Sequence, residues 1–271
     1  MTVQLIPQAT FDQDIYYPES DGRPMAESDL HRNLMFRIIH LLQHFFAGKR
    51  VYVSGNLLIY YQQGNPRKSV APDCFVVWDV EPRLRLIYKL WEEKKAPQVV
   101  FEISSKSTQR EDFTKKMRVY AQLGVQEYYI YDPTSEYLDP PLAAYELVDG
   151  AFVPMQPITE VVRLGDWIFA PGGGDTPEFV STLLGLRLSL DESNTLQFYD
   201  LATNARLLSD EEARQQAEAE RRQAEAERRQ AETDRQQAEA ERQQAEERAS
   251  LAESEVARLR DELARLRAGL H

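Results

Sequence analysis

The stretch Gln98-Val99-Val100-Phe101-Glu102-Ile103 decides the fold of this chain. Apart from Gln98 and Glu102 it is apolar, which is typical of a strand that is buried on both faces of a sheet. An ionised carboxylate in such a place is costly unless it is paired or bound to a cation. The stretch therefore predicts a core strand and marks Glu102 as a candidate site residue.

Helical and strand-like segments surround this stretch. Ser28-Asp29 offers a helix start, and apolar residues follow at helical spacing until Gly48 stops the helix. The predicted elements, in chain order, are a helix over 28–46, strands over 51–53, 57–61, 74–78 and 98–103, a helix over 109–123, a strand over 127–131 and a hairpin over 186–199. This order predicts an α/β fold in which helices flank a mixed sheet.

The length and charge of the chain limit the classes of protein to which it can belong. Its 271 residues allow one or two domains. The net charge is −12, which argues against a non-specific DNA binder of high affinity, because such proteins usually show a basic face. Cys74 is the one cysteine, which predicts a reducing, cytoplasmic location. No signal peptide is visible, and the most apolar helical stretch, 34–46, is too short and too polar to span a membrane.

The last part of the chain differs from the rest in composition. From Ser209 it consists mostly of Ala, Glu, Gln and Arg in a repeat of seven residues. Its final apolar residues step by three and four, as in a zipper seam; they are Val256, Leu259, Leu263, Leu266 and Leu270. We therefore predict a globular domain over 1–205 and a charged helical tail over 209–271. The tail is either a single exposed helix or a coiled coil that self-associates, parallel or antiparallel, through residues 256–270.

Two further polar residues stand where apolar ones are expected. Asp73 directly precedes the strand at 74–78, so it and Glu102 could meet on neighbouring strands. Two such carboxylates repel each other, and a hard divalent cation would turn that repulsion into a binding site. On the helix over 109–123, a rotation of about 100° per residue puts Lys116 at the edge of the packed face and Lys115 towards solvent.

Each candidate residue also has a plainer interpretation. Asp73 could cap a loop or pair with an arginine, and Glu102 could be a buried acid that is bonded to backbone amides. Lys116 could be an ordinary lysine whose stem lies along apolar surface. Glu27 could be an exposed acid at a helix start, and His31, one turn beyond it, could be structural.

Several of these residues fall within short motifs that occur together and in order. The motifs are Pro72-Asp73, the run from Val100 to Ser105, the trio Asp112, Lys116 and Tyr120, and the run from Gly124 to Pro133. Together they resemble the Uma-type putative restriction endonuclease family, over about residues 15–205. That family belongs to the restriction-endonuclease-like, or PD-(D/E)xK, superfamily of Mg-dependent nucleases. The resemblance therefore implies a restriction-endonuclease-like fold.

The resemblance also implies roles for individual residues. Asp73 and Glu102 would bind Mg²⁺ or Mn²⁺, with Glu27 as a further acid from the first helix. The superfamily usually places a lysine two residues after the second acid, but here that position is Ser104. Lys116, on the following helix, would supply the missing positive charge.

The function that this resemblance implies is a Mg-dependent endonuclease that hydrolyses DNA phosphodiester bonds. The alternative is a catalytically inactive nuclease fold, used as an interaction module that self-associates or binds a partner through its C-terminal coiled coil. The acidic balance of the chain favours this alternative. A third hypothesis is a structural coiled-coil protein whose domain only caps the helix.

Overall fold

The computed structural model describes residues 15–20, 22, 28–106, 108–158, 162–164, 167–169 and 177–268. Glu27, predicted as a further acid, and Leu270, predicted as the last seam residue, lie outside the described residues, as does the side chain of Leu266. The chain forms two compact units, which divide between Ser209 and Asp210.

The first unit combines helices with many short strands, and the second is the helix α5 (Asp210–Ala268). The helices of the first unit are α1 (Asp29–Phe45), α2 (Leu90–Glu93), α3 (Gln109–Glu111) and α4 (Met117–Leu123), with a π-helical segment, Asp112–Lys116, between α3 and α4. The strands are β1 (Val51–Ser54), β2 (Ile59–Tyr60), β3 (Ser69–Val70), β4 (Cys74–Trp78), β5 (Tyr88–Lys89), β6 (Val99–Ile103), β7 (Glu127–Tyr131), β8 (Leu142–Val148), β9 (Ala151–Pro154), β10 (Val162–Leu164), β11 (Trp167–Phe169), β12 (Phe179–Ser181), β13 (Leu186–Leu190) and β14 (Leu196–Asp200).

The central sheet has the strand order β1-β4-β6-β7-β8-β9. Strands β6 and β7 run parallel, and the other neighbouring pairs are antiparallel. The predicted α/β class with a mixed sheet is therefore confirmed. Strand β6 lies inside the sheet, between β4 and β7, and all five of its residues are buried. This position explains its nearly continuous apolar sequence, because a strand covered on both faces has no side that favours polar residues.

Side chains of β6 alternate between two apolar layers on the two faces of the sheet. Phe101 and its odd-numbered neighbours pack with α1 and with the hairpin of β13 and β14. Val100 packs in the other layer, which includes Tyr120 of α4. Because successive side chains of a strand point to opposite faces, Glu102 lies on the same face as Val100 and is turned towards α4.

Two predicted elements differ from the observed ones. The predicted strand over 57–61 is limited to Ile59–Tyr60, and it belongs to a small separate sheet of order β3-β2-β5. The predicted helix over 109–123 is interrupted by the π-helical segment. In both cases the difference depends on tertiary contacts that local propensity does not encode. The predicted hairpin is confirmed, since β13 and β14 pair antiparallel.

Helix α5 is a long, charged helix of 59 residues. Its acidic and basic side chains pair along the helix at a spacing of four, as in Glu218 with Arg222 (2.5 Å) and Glu246 with Arg242 (3.0 Å). Exposed pairs of this kind each stabilise a helix by only about 0.3–0.5 kcal/mol. Within the part of the chain that the structure describes, no helix has the length and apolarity needed to cross a membrane.

Candidate active site

The two predicted acids lie side by side where β4 and β6 pair. Cys74 of β4 is opposite Phe101 of β6 in this antiparallel pair. One step further along each strand, Asp73 therefore lies next to Glu102, on the same face of the sheet. The backbone N–H of Ile103 donates to Oδ2 of Asp73 over 2.7 Å, which fixes the carboxylate against the end of β6.

The backbone on either side of Asp73 is held by a close packing contact. The N–H of Asn56 donates to the carbonyl oxygen of Pro72 over 2.7 Å. At Gly55, an added Cβ atom would lie only 1.9 Å from the carbonyl oxygen of Asp73. A glycine is therefore required at position 55, because any other residue would force the chain around Asp73 to move.

Glu102 is fully buried, and both of its carboxylate oxygens have donors. Oε2 lies 2.8 Å from Nζ of Lys116, and Oε1 accepts from the hydroxyl of Tyr120 over 2.5 Å. Burial raises the pKa of Glu102 well above its ordinary value; Lys116 opposes this, and the charges of Asp73 and Asp112 add to it. Both of these donors are side chains, so among the described residues Glu102 is held by an ammonium and a hydroxyl and not by the backbone amides of the plainer interpretation.

Lys116 lies between two buried carboxylates. Its Nζ is 2.8 Å from Oε2 of Glu102 and 2.9 Å from Oδ1 of Asp112, and its side chain is 16% exposed. Although burial lowers the pKa of Lys116, the charges of Glu102 and Asp112 outweigh it and raise that pKa. Lys115 is 72% exposed and pairs with Glu111. Lys115 thus points to solvent and Lys116 points to the sheet, as predicted. The ammonium group of Lys116 is paired with carboxylates and does not extend into solvent.

The π-helical segment presents both Asp112 and Lys116 to the sheet. Asp112 is fully buried, and its pKa is raised by burial, with Lys116 opposing the shift. The hydroxyl of Tyr128 in β7 donates to the backbone carbonyl of Asp112 over 3.0 Å, which holds the segment against the sheet. Such single π-helical turns occur frequently at functional sites.

Asp112 was part of the sequence motif, but its role in pairing with Lys116 was not predicted. The signal that could have found it is its spacing of four residues from Lys116, at which acid–base pairs form on helices.

His31 joins the cluster from α1. Its N–H donates to the hydroxyl of Ser28, which caps the helix, and this places the imidazole one turn into α1. Nε2 of His31 lies 3.1 Å from Oδ1 of Asp73, and His31 is buried. Burial raises the pKa of Asp73, but the hydrogen bond and charge of His31, together with the charge of Lys116 and the N–H of Ile103, lower that pKa below its ordinary value. Asp73 therefore has a histidine and a backbone amide as partners, instead of the arginine considered as an alternative.

Ser104 contributes a buried hydroxyl without a hydrogen-bond partner among the described residues. It is 4% exposed and lies two residues after Glu102, where the sequence lacks the superfamily's usual lysine. Its backbone N–H is used, donating to the carbonyl of Tyr131 over 2.7 Å. A buried polar atom without a partner is rare in proteins and calls for a ligand or water.

The donor set fits a hard divalent cation by its chemistry. Asp73, Glu102 and Asp112 outnumber Lys116, and carboxylate oxygens are the ligands that Mg²⁺ prefers. Each carboxylate also has more lone pairs than the donors described above occupy. In the part of the chain that the structure describes, no group of three or more His, Cys, Asp and Glu side chains has the geometry of a metal site. The carboxylates of Asp73, Glu102 and Asp112 are instead held by donors of the protein, which include Lys116, Tyr120, His31 and the N–H of Ile103.

Parts of the chain match a known protein family and a solved structure. The model of the Uma2 family, described as "Putative restriction endonuclease", matches residues 4–140, and the chain belongs to this family. The match includes every described site residue named above. A solved structure described as a "putative nuclease belonging to DUF820 from Anabaena variabilis ATCC 29413" is similar over 51% of this chain and 73% of that chain, with 15% sequence identity and a TM-score of 0.37. No curated protein matches the chain.

Proposed function

We propose that the chain is an endonuclease that hydrolyses phosphodiester bonds of DNA with Mg²⁺ or Mn²⁺, and that Asp73, Glu102 and Lys116 carry the reaction. The observation that supports this most is the buried ammonium of Lys116, 2.8 Å from Glu102 and 2.9 Å from Asp112. Burying a charge is costly, so an ion cluster is a poor way to stabilise a fold. The membership of the chain in the Uma2 family, described as "Putative restriction endonuclease", supports the same function.

The exposure of the individual side chains supports different roles for Asp73, Lys116 and Glu102. The side chain of Asp73 is 14% exposed and that of Lys116 is 16% exposed, whereas Glu102 is fully buried. A phosphate group that reached the cluster would therefore meet Asp73 and Lys116 first. A divalent cation held by Asp73 and Glu102, with Ser104 nearby, would supply an activated water and a polarised phosphate.

The protein's own residues would then orient the reacting groups. Lys116 would place positive charge beside the phosphoryl oxygens as negative charge develops there. Asp112 forms a second ion pair with Lys116 and helps to keep it protonated. Tyr120 fixes one oxygen of Glu102, and His31 fixes one oxygen of Asp73.

The experiment that tests this proposal is cleavage of supercoiled plasmid by the full-length chain with Mg²⁺ or Mn²⁺. We expect nicked or linear plasmid, no cleavage with a chelator, and a loss of about 100-fold or more in Asp73→Ala. An RNA transcript of the same sequence serves as a second substrate. Cleavage of the RNA alone would contradict DNA as the substrate, and equal cleavage by wild type and Asp73→Ala would contradict the site.

The alternative function is a nuclease fold that no longer cleaves and serves as an interaction module. The net charge of −12 favours it, because phosphate backbones are repelled by an acidic protein. Under this alternative the chain would bind Mn²⁺ but leave plasmid and RNA intact, and its partner would be a protein bound through α5.

The lone cysteine supports a proposal on location. Cys74 is a free thiol, buried in β4 beside the site. A chain without a possible internal disulfide fits a reducing compartment, so we also propose a cytoplasmic location.

A further inference from the structure

An apolar stripe runs along the C-terminal part of α5 and is exposed. Its large side chains are Val256, Leu259 and Leu263, whose exposed fractions are 47%, 48% and 53%. They continue at a spacing of three and four with Ala249 and Ala252 before them and Leu266 after them. These six residues, here called the C-terminal seam, occupy the core positions of successive heptads, the positions named a and d.

We propose that a second copy of this chain covers the C-terminal seam, with the two helices parallel and in register as a two-stranded coiled coil over 248–268. The choice of residues along the seam supports two strands. Val256 is a β-branched residue at position a, and Leu259 and Leu266 are at position d, the combination that favours dimers.

The charged residues that flank the seam support the parallel direction. In a parallel coiled coil in register, the residue at position g of one helix faces the residue at position e, five places further on, in the other helix. Along 248–268 these facing pairs are Arg248 with Glu253, Glu255 with Arg260, and Glu262 with Arg267. All three pairs are opposite in charge, and each occurs twice in a dimer.

The antiparallel direction is disfavoured by the same residues. Two antiparallel helices that matched Val256 with Leu266 and Leu259 with Leu263 would bring residues of position g together, and residues of position e together. Glu262 would then face Glu262 of the second copy, Arg260 would face Arg260, and Glu253 with Arg267 would be the opposite-charge pair that remains, against three such pairs in the parallel register. Like charges at these positions select against a pairing, so the direction is set by the flanking charges.

The same rule explains why the coiled coil does not extend through the N-terminal part of α5. There the core positions alternate between alanine and arginine, which is a poor core. The facing pairs in a parallel register are all acidic: Glu220 with Glu225, Glu227 with Glu232, Asp234 with Glu239, and Glu241 with Glu246. Several of these acids pair within their own helix, as Glu225 does with Arg221 and Glu246 with Arg242. This part of α5 therefore suits a single solvated helix.

Disulfide cross-linking of the full-length chain tests both the partner and the direction. Ala252 is a seam residue at position d, and Ala257 is on the outer side of the helix; both are exposed in one chain. The parallel register places the two copies of residue 252 face to face, so Ala252→Cys should cross-link into a dimer of twice the 31.3 kDa of one chain. Ala257→Cys is the matched control and should cross-link much less. Equal cross-linking of the two variants, or none in either, would overturn the proposal.

Reversal of the flanking charges tests the pairing itself. In the double variant Glu255→Arg/Glu262→Arg, four attractive contacts of the dimer become repulsive. We expect the dissociation constant of the dimer, measured by sedimentation, to rise by about tenfold or more. Adding Arg260→Glu and Arg267→Glu restores opposite charges and should restore the dimer. A wild-type chain that stays monomeric at about 100 μM, a concentration at which dimers with micromolar dissociation constants form, would contradict the proposal. A variant with all four substitutions that forms no tighter a dimer than the double variant would also contradict the proposal.

Discussion

At the scale of single residues, the ion cluster at the end of β6 matters both for the stability of the fold and for the proposed activity. Glu102 and Asp112 are both fully buried and both approach Lys116 within 3 Å, at 2.8 and 2.9 Å. Removing one partner of a buried pair leaves the other charge uncompensated, which typically costs about 3–5 kcal/mol. Variants in this cluster will therefore affect stability as well as any activity, and each needs a neighbour as a control.

The adjacent lysines provide such a control. Lys116→Ala should reduce the rate of cleavage by about 100-fold or more, the scale expected when a preorganised charge next to the reacting group is lost. Lys115→Ala removes the same charge from the surface, where its effect is screened, and should leave the rate nearly unchanged. Plasmid cleavage rates measure both variants, and thermal melts show whether Lys116→Ala is still folded at the assay temperature. Equal losses would indicate a diffuse basic patch, and a loss in Lys115→Ala alone would contradict the role of Lys116.

Asp73 permits a test that does not depend on activity. Asp73→Asn keeps the shape of the side chain and can still accept from the N–H of Ile103, but it lacks the charge that a cation needs. We expect Mn²⁺ binding to weaken by about tenfold or more in calorimetry, with an unchanged circular dichroism spectrum. Unchanged affinity in a folded variant would remove Asp73 from the proposed metal ligands.

At the scale of elements, the site depends on how four pieces of backbone approach one another: the turn after β1, the start of β4, the end of β6 and the π-helical segment. The turn after β1 packs on the residues that precede β4, and β4 in turn brings Asp73 beside Glu102 of β6. On the opposite side, Tyr128 of β7 holds the π-helical segment through the carbonyl of Asp112. A small shift in any of these elements would move a charged group of the cluster.

The turn after β1 gives the sharpest test of this dependence. Gly55→Ala would add a Cβ atom 1.9 Å from the carbonyl oxygen of Asp73, so the turn or the chain at Asp73 has to move. We expect Mn²⁺ affinity and cleavage to fall by about tenfold or more, because displacements of about 1 Å are costly at active sites. Gly150→Ala is the control, because a Cβ there meets nothing within 4 Å, although its φ of +81° carries its own strain. A variant Gly55→Ala with normal Mn²⁺ affinity and rate would contradict the positioning role.

At the scale of the whole molecule, the first unit is joined across its layers by buried polar contacts as well as by apolar packing. Glu127 of β7 accepts at Oε2 from the hydroxyls of Tyr129 (2.9 Å) and of Ser181 in β12 (2.5 Å). These bonds connect the central sheet to the sheet of β12, β13 and β14. Glu127 is buried, and burial raises its pKa above the ordinary 4.5, although the Ser181 and Tyr129 hydroxyls oppose the shift.

The raised pKa of Glu127 predicts how stability depends on pH. Because the folded state keeps its proton to a higher pH than the unfolded state, the free energy of unfolding falls as the pH rises from 4.5 through the folded-state pKa. In Glu127→Gln this contribution is absent, so the variant should lose less stability than wild type between about pH 5 and pH 8. Urea melts at the two pH values measure the difference. A parallel decline in both proteins would show that Glu127 does not titrate in this range.

The division of the chain into two compact units predicts that the first unit folds without the second. Among the described residues, the last buried one is Leu201, and Leu207 still packs against the core. A chain that ends at Leu208 should therefore keep its core, with a near-ultraviolet circular dichroism spectrum and a melting temperature close to those of the full chain, while dimer formation is lost. An unfolded fragment would contradict this division of the chain.

The sequence by itself determined the main elements of the central sheet, the first helix and the types of residue at the site. Apolar runs and helix signals predicted β4, β6, β7 and α1, and the carboxylate inside an apolar strand marked Glu102. These signals are local: a buried strand needs apolar residues wherever it pairs, and a charge among them stands out.

Only the tertiary structure decided which of these residues meet. The pairing of β4 with β6 brings Asp73 to Glu102, and α1 brings His31 to Asp73. The π-helical turn, which regular helical spacing does not predict, sets Asp112 and Lys116 against the sheet. Such contacts join residues that are far apart in the chain or depend on a backbone shape imposed by packing. Their free energy comes from the assembled layers, so no local pattern of residues encodes them.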